Sequence, residues 1–264
     1  MFRVEILKSL HRVRTWVFAA GLAALGVLPV IVLRNSPEAS GGPAFFDQLR
    51  QAGLFAPLAA MALVQPFFLP LGTGLLAGEA VAGESSAGTL RYLLVRPVGR
   101  VRLILSKWSS VMAEVAAGVV LVALAGLVAG AIAMGVGPLP TLSGSTISTG
   151  GALLRIGFAA VYIVAGVSGL AAIGLFISVM TDSGPGAAVA TVALGIVSQV
   201  LDNLASLRSI HPFLFSHRWL AFVDLFRDPV DWTGIIHGFV LAAAYTAVFL
   251  GAALVVFTRK DVVS

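Results

Sequence analysis

The chain contains no cysteine, which excludes disulfide bonds, a thiolate nucleophile and any metal site built on sulfur. Charge is scarce: only 11% of its 264 residues are Asp, Glu, Lys or Arg, against about a quarter in a soluble domain. It lacks a G-x-x-x-x-G-K-[ST] phosphate loop. The glycines of "GTGLLAGEA" at 72–80 are followed by no Lys, so the chain has no cradle of its own for nucleotide phosphates. It also lacks an H-E-x-x-H pair of helical zinc ligands. The four histidines are His11, His211, His217 and His237. His211 and His217 share a segment with Asp224 and Asp228, but their spacing fits no helical ligand pair, and no metal site is expected there.

What the chain has instead is apolar length. Hydrophobic residues make up 58% of it and the mean hydropathy is +0.99. About 20 apolar residues suffice for a helix to cross a hydrocarbon core of about 30 Å. Six runs qualify, at 16–33, 54–77, 111–136, 153–180, 186–204 and 234–257. Backbone groups in lipid must bond within their own segment, so these runs read as helices. The expected fold is an all-α polytopic membrane protein, with 1–264 forming a single transmembrane domain.

Residues 1–15 differ from a signal peptide, having a periodicity of their own and no A-x-A-like exit. Phe2, Ile6, Leu10 and Val13 fall at helical spacing, with Arg3, Lys8, His11 and Arg12 largely elsewhere on the wheel. This predicts an amphipathic helix lying along the membrane interface. The segment at 205–233, containing "HPFLFSHRWLAFVDLF", is too charged to span. It reads as an interfacial or re-entrant element, or as an aromatic belt. The stretch at 138–150, "PLPTLSGSTISTG", reads as a polar turn.

Lys and Arg set the orientation. With the N-terminus inside, 11 of the 17 fall on inner segments: Arg3, Lys8, Arg12, Arg14, Arg91, Arg96, Arg100, Arg102, Lys107, Arg259 and Lys260. Arg34, Arg50, Arg155, Arg208, Arg218 and Arg227 fall outside. Both termini are therefore expected in the cytoplasm, with the protein multi-pass in the plasma (inner) membrane. The net charge of +5 is absorbed by topology and anionic headgroups, which argues against a nucleic-acid partner.

Within the spans, Glu114 is the acidic residue that costs most to place, since a carboxylate at a helix centre is opposed by roughly 2.5–3.5 kcal/mol on insertion scales. It reads as an ion pair or gate at the inner mouth, or as a group snorkelling to the interface. Gln65, Gln199, Tyr162 and Tyr245 join it as candidates for a translocation pathway. Gly74-x-x-x-Gly78 and Gly126-x-x-x-Gly130 are spacings that permit close helix contact.

The most informative stretch is "GESSAGTLRYLLVRP" at 83–97, a charged island between two spans. Read locally, 85–95 is a short helix capped by Ser85 or Ser86, with Leu90, Leu93 and Leu94 forming an apolar stripe. Pro97 breaks it, and a second helix from about Arg100 runs through Lys107 into the third span. This pattern resembles the first cytoplasmic loop of ABC-2 type transporter permeases, where a Glu precedes Gly-Thr-Leu, a Leu pair, a Pro, a basic residue and a Lys opening the third span. The matching residues are Glu84, Gly88, Thr89, Leu90, Leu93, Leu94, Pro97, Arg100 and Lys107. Two positions depart from the pattern: Arg91 stands where an acidic residue is frequent, and Gly99 where Ser is frequent. The specific match covers 84–107; the six-span plan and the interfacial helix extend it to the whole chain.

The resemblance implies that this loop is a coupling element docking on a separate ABC ATPase. That subunit would bind ATP and Mg, and this chain would carry no cofactor and perform no catalysis. It further implies a second permease copy, identical or related, and export of an amphipathic substrate such as a drug, antibiotic peptide or lipid. A basic helix binding lipid headgroups is the other use of the same loop. At the level of the whole chain, the alternatives are an integral membrane lipid-modifying enzyme using His211, His217, Asp224 and Asp228, and a secondary transporter. The latter would show paired midplane charges and inverted repeats, neither of which is legible.

Because the chain is free of cysteine, single cysteines report its topology. A cysteine replacing Ser86 or Ser264 is expected to escape an impermeant maleimide added outside intact cells, and labelling of either would reverse the assignment.

Overall fold

The computed structural model describes residues 13–35, 52–86, 88, 99–141 and 143–259. The helices are α1 (Val13–Asn35), α2 (Ala56–Val64), α3 (Phe68–Ser86), α4 (Arg100–Met134), α5 (Thr149–Met180), α6 (Gly184–Asn203) and α7 (Trp232–Arg259). A two-stranded antiparallel hairpin, β1 (Leu139–Pro140) and β2 (Thr146–Ile147), links α4 to α5. Most of the expected interfacial helix lies outside the described residues.

Five helices (α1, α4, α5, α6 and α7) are each long and apolar enough to cross a membrane. The expected second span is instead a bent pair: a 3-10 turn and α2 over Gly53–Val64, then α3, meeting at 53°. The cause is written in the sequence as Pro66 and Pro70. Pro70 has no N–H, so the Pro66 carbonyl loses its donor four residues on. In an apolar bundle that carbonyl needs another donor, and the Gln199 side-chain amide of α6 supplies one.

Ser148 and Ser183 cap α5 and α6, their hydroxyls accepting from the amides of Gly151 and Gly186. Asp231 does the same for α7: Oδ1 accepts from the Thr233 amide at 2.9 Å, which holds the Asp231 carboxyl below its ordinary 3.8. One local expectation fails. Ser85 and Ser86 do not open a new helix, because α3 continues through Ser86. Ser86 Oγ donates back to the Gly83 carbonyl at 3.1 Å, and Gly88 takes a left-handed φ of 67° after it. The expected polar turn at 138–150 is likewise a hairpin, with Leu139 and Thr141 buried.

Packing depends on backbones that approach closely. α3 lies against α5 and α6, α7 against α5, α1 against α4, and α2 against α4 and α1. The two small-residue pairs mark these contacts. Gly74 and Gly78 both face α6: a Cβ on Gly74 would stand 2.7 Å from Val192 Cγ2, and one on Gly78 would overlap the Ala188 backbone. Gly126 and Gly130 face the chain entering α2, where their missing Cβ atoms make room for Pro57 and Gly53. One core fills the centre of the bundle, and a second cluster (Val81, Leu103, Ile104, Leu175, Val179, Ala253 and Phe257) closes the end from which the 88–99 loop leaves.

The segment between α6 and α7 is a chain of 3-10 turns at Ala205–Leu207, His211–Phe213 and Ala221–Phe226. It enters the bundle rather than lying over it. Trp219, Phe222, Leu225 and Phe226 are buried. Arg155 of α5 donates to the Leu225 and Arg227 carbonyls, while Trp219 Nε1 donates to the Gly166 carbonyl at 2.9 Å. Eleven residues separate Arg155 from Gly166, so the segment follows α5 inward by about 16 Å at 1.5 Å per residue. The segment therefore packs among the helices alongside α5.

The close approach of α3 and α6 yields a direct expectation. Gly78→Ala forces a methyl into the Ala188 backbone, and overpacking of this kind costs about 1–3 kcal/mol. Gly157→Ala, where a Cβ meets nothing within 4 Å, is expected to be neutral or slightly stabilising. Thermal unfolding of the two variants in detergent compares them.

Candidate functional site

The site is the base of the 88–99 loop, where four helices converge. Glu84 lies in the last turn of α3 and Lys107 two turns into α4, after the helix has emerged from the loop. Lys107 Nζ donates to Glu84 Oε1 at 2.6 Å, and the two residues are 4% and 8% exposed. The sequence reading placed both on the coupling surface. They face each other inside the helix pair, and their ion pair joins the two ends of the loop. A short, charge-assisted and nearly dry hydrogen bond is stronger and more directional than a surface ion pair, but each charge is costly to bury without the other.

Two further contacts spread from this base. Ser85 Oγ donates to Asp182 Oδ1 at 2.8 Å, tying the end of α3 to the tight turn between α5 and α6. Ser178 Oγ, one turn before that, accepts from the Val81 and Ala82 amides at 3.0 and 2.9 Å. Arg100, the first residue of α4, donates from one guanidinium nitrogen to the Phe257 and Thr258 carbonyls at 3.3 and 2.9 Å. A cation on the open carbonyls at the end of α7 suits the negative end of that helix. Arg100 is thus spent within the chain. Thr89, Leu90, Leu93, Leu94 and Pro97 lie outside the described residues; Gly88 is described and forms the turn leading into them.

Beyond the ion pair, deeper between α1, α3 and α4, is a cavity of about 490 Å³. Glu114 lines it, seven residues past Lys107 and hence on the same face of α4, about 10 Å further in. Glu79 of α3 lines it as well, with Thr15 and Thr73, against walls that include Trp16, Phe18 and Leu22. Thr73 is fully buried, and its hydroxyl has no hydrogen-bond partner among the described residues. Glu79 and Thr73 are not among the residues singled out from sequence; the signal that could have found Glu79 is an acidic residue at the end of an apolar run.

The other pathway candidates do not join Glu114. Gln199 serves the Pro66 carbonyl. Tyr162 donates to the Arg218 carbonyl and Tyr245 to the Phe213 carbonyl, so both hold the 205–231 segment. Gln65 is 0% exposed at the α2–α3 break, with neither amide atom hydrogen-bonded among the described residues. The aspartates of the 205–231 segment that follow its histidines have other partners: Asp224 pairs with Arg227 at 2.8 Å, and Asp228 accepts from Ser145 Oγ at 2.9 Å. A catalytic set of His211, His217, Asp224 and Asp228 is not assembled.

Residues 1–182 match the family described as ABC-2 family transporter protein. That stretch holds α1 to α5 and the whole of the 88–99 loop with its base. The chain belongs to this family. It is a multi-pass membrane protein of the ABC transporter permease type. Among curated proteins, the probable ABC transporter permease protein NosY of Stutzerimonas stutzeri is 36% identical over 93 residues, which is 35% of this chain and 31% of that protein. The match thus spans about a third of the relative's length.

The base of the loop gives a stability test for this ABC-2 permease. Lys107→Met strands the Glu84 carboxylate and is expected to cost about 3–5 kcal/mol, whereas the double variant Glu84→Leu/Lys107→Met removes both charges and recovers most of the loss. Unfolding midpoints of the wild type, both single variants and the double variant give the coupling between the two residues.

Proposed function

We propose that this chain is the membrane subunit of an ATP-driven exporter, with six spans, the bent α2–α3 pair counting as one, and both termini cytoplasmic. The observation that carries the reading is the Glu84–Lys107 pair. It locks together the two helices that flank the loop, while Ser85 and Arg100 tie the same base to the α5–α6 turn and the end of α7. A push on the loop is therefore delivered to four helices at once. An element that only bound lipid headgroups would need no such anchorage.

The ATPase is a separate chain binding ATP and Mg, since this sequence has no phosphate loop. Two permease copies, or this one with a related partner, make up the transmembrane part. Family membership supports both. The substrate is an amphipathic molecule, and the cavity supports that class: its walls are mostly apolar, with a few polar side chains among them. Glu114 acts there as a substrate-facing or gating residue. The mechanism follows from mechanical linkage. Closure of the ATPase on ATP moves the loop, α3 and α4 move as one unit through the ion pair, and the cavity they form with α1 changes its opening.

The test is co-purification with the ATPase followed by transport in the same vesicles. Leu94→Asp removes an apolar contact worth about 1.5–3 kcal/mol, and it is expected to weaken assembly by at least about tenfold. Full assembly and full transport by Leu94→Asp would overturn the docking reading in favour of a lipid-binding loop.

A further inference from the structure

At the end of the bundle opposite the 88–99 loop, the 205–231 segment brings three side chains together that the sequence keeps apart. Asp202 lies in the last turn of α6, His211 begins the second 3-10 turn, and His217 lies in the turn after it. Asp202 Oδ1 stands 2.6 Å from His217 Nδ1 and 3.9 Å from His211 Nδ1. One ligand atom from each residue falls within 4.8 Å of the other two. We infer that Asp202, His211 and His217 form a binding site for a divalent transition-metal ion of the zinc class.

The tautomer of His211 is the main argument. Its Nε2 lies 3.2 Å from the Leu204 carbonyl. A carbonyl oxygen only accepts, so Nε2 is the nitrogen that holds a proton there, and in the neutral ring this leaves Nδ1 with a lone pair for a metal. In that form the lone pair stands 3.9 Å from the Asp202 carboxylate, an acceptor opposite an acceptor. A cation between them satisfies both, and a backbone carbonyl holding the far nitrogen is the usual outer support of a metal-binding imidazole. Tetrahedral ligands about 2.1 Å from an ion stand about 3.4 Å apart. The Asp202–His211 separation is near this already, and the Asp202–His217 contact opens to it when the ion displaces the proton between them.

The donor set fixes the class. Two imidazoles and one carboxylate, with no thiolate in the chain, suit zinc and its borderline neighbours rather than soft monovalent ions or calcium. The three side chains are 15–23% exposed, leaving water access for a fourth ligand and for the ion itself. Occupancy would join the end of α6 to the 205–231 segment, which is also attached by hydrogen bonds from Arg155, Trp219, Tyr162 and Tyr245 to carbonyl groups.

The site was hidden in the sequence because its acid comes from the end of α6 and not from the aspartates that follow the histidines in the same segment. Asp202 precedes His217 by 15 residues, with a reversal of the chain between them.

The test uses the full-length permease, purified without a polyhistidine tag and stripped with EDTA. Titration with Co²⁺ alone is expected to produce its visible d–d absorption with one-to-one stoichiometry. Zn²⁺ should abolish that signal and raise the unfolding temperature. His211→Gln leaves the Asp202–His217 hydrogen bond in place and is expected to weaken Co²⁺ binding by at least about tenfold, while His237→Gln on α7 should bind normally. Absence of the Co²⁺ signal from the wild type, or a signal unchanged in His211→Gln, overturns the site. Should His211→Gln elute as aggregate, Asp202→Asn takes its place under the same criteria. If neither variant folds, the wild-type titration decides by whether Zn²⁺ competes one-to-one.

Discussion

One buried hydrogen-bonded ion pair organises the functional end of this protein. Glu84 and Lys107 are each too costly to bury alone, and together they fix where α3 ends and where α4 begins relative to it. The Ser85–Asp182 bond, the Arg100 contacts with the end of α7 and the Val81–Phe257 cluster are arranged around that junction. The loop between Ser86 and Arg100 therefore has two rigid ends, although its own residues are charged and turn-forming. Displacement of either end of the loop is then transmitted to a unit of paired helices.

The rest of the bundle solves a common problem by two means. Helices in lipid gain little from burying apolar surface against one another, so association depends on close approach and on satisfied polar groups. The glycines of α3 and α4 supply the close approach. Side chains on neighbouring helices supply the rest: Gln199 for the carbonyl freed by Pro70, Ser178 for the Val81 and Ala82 amides, Trp219 for the Gly166 carbonyl. Each of these is a polar residue on an apolar helix with a local backbone task, which explains why so few of them line the cavity.

These same residues show what could and could not be read in advance. Five of the six apolar runs each fall on a single helix, because twenty apolar residues in a row admit few other structures. Glu84 and Lys107 were legible as important, since the spacing of the whole 84–107 pattern singles them out. That they serve each other was not, because a pairing across a loop leaves no periodic trace. The bend at Gln65–Phe67 was available in the Pro66 and Pro70 spacing, yet hydropathy alone merges the two helices into one run. Gln199, Tyr162 and Tyr245 stand out in sequence for a related reason: polarity within a span signals an obligation, and the fold shows that each of the three meets one toward a neighbouring carbonyl.

The 205–231 segment carries a consequence for biogenesis. Its 3-10 turns have few internal bonds, and its fixed points are borrowed from α5, α6 and α7: Gly166 and Tyr162 on the first, Ser198 and Asp202 on the second, Tyr245 on the third. Two of those helices precede it in the chain and one follows. Most of its fixed points are in place once α5 and α6 have been inserted, and the Tyr245 hydrogen bond is added when α7 docks, so the segment completes the domain rather than nucleating it.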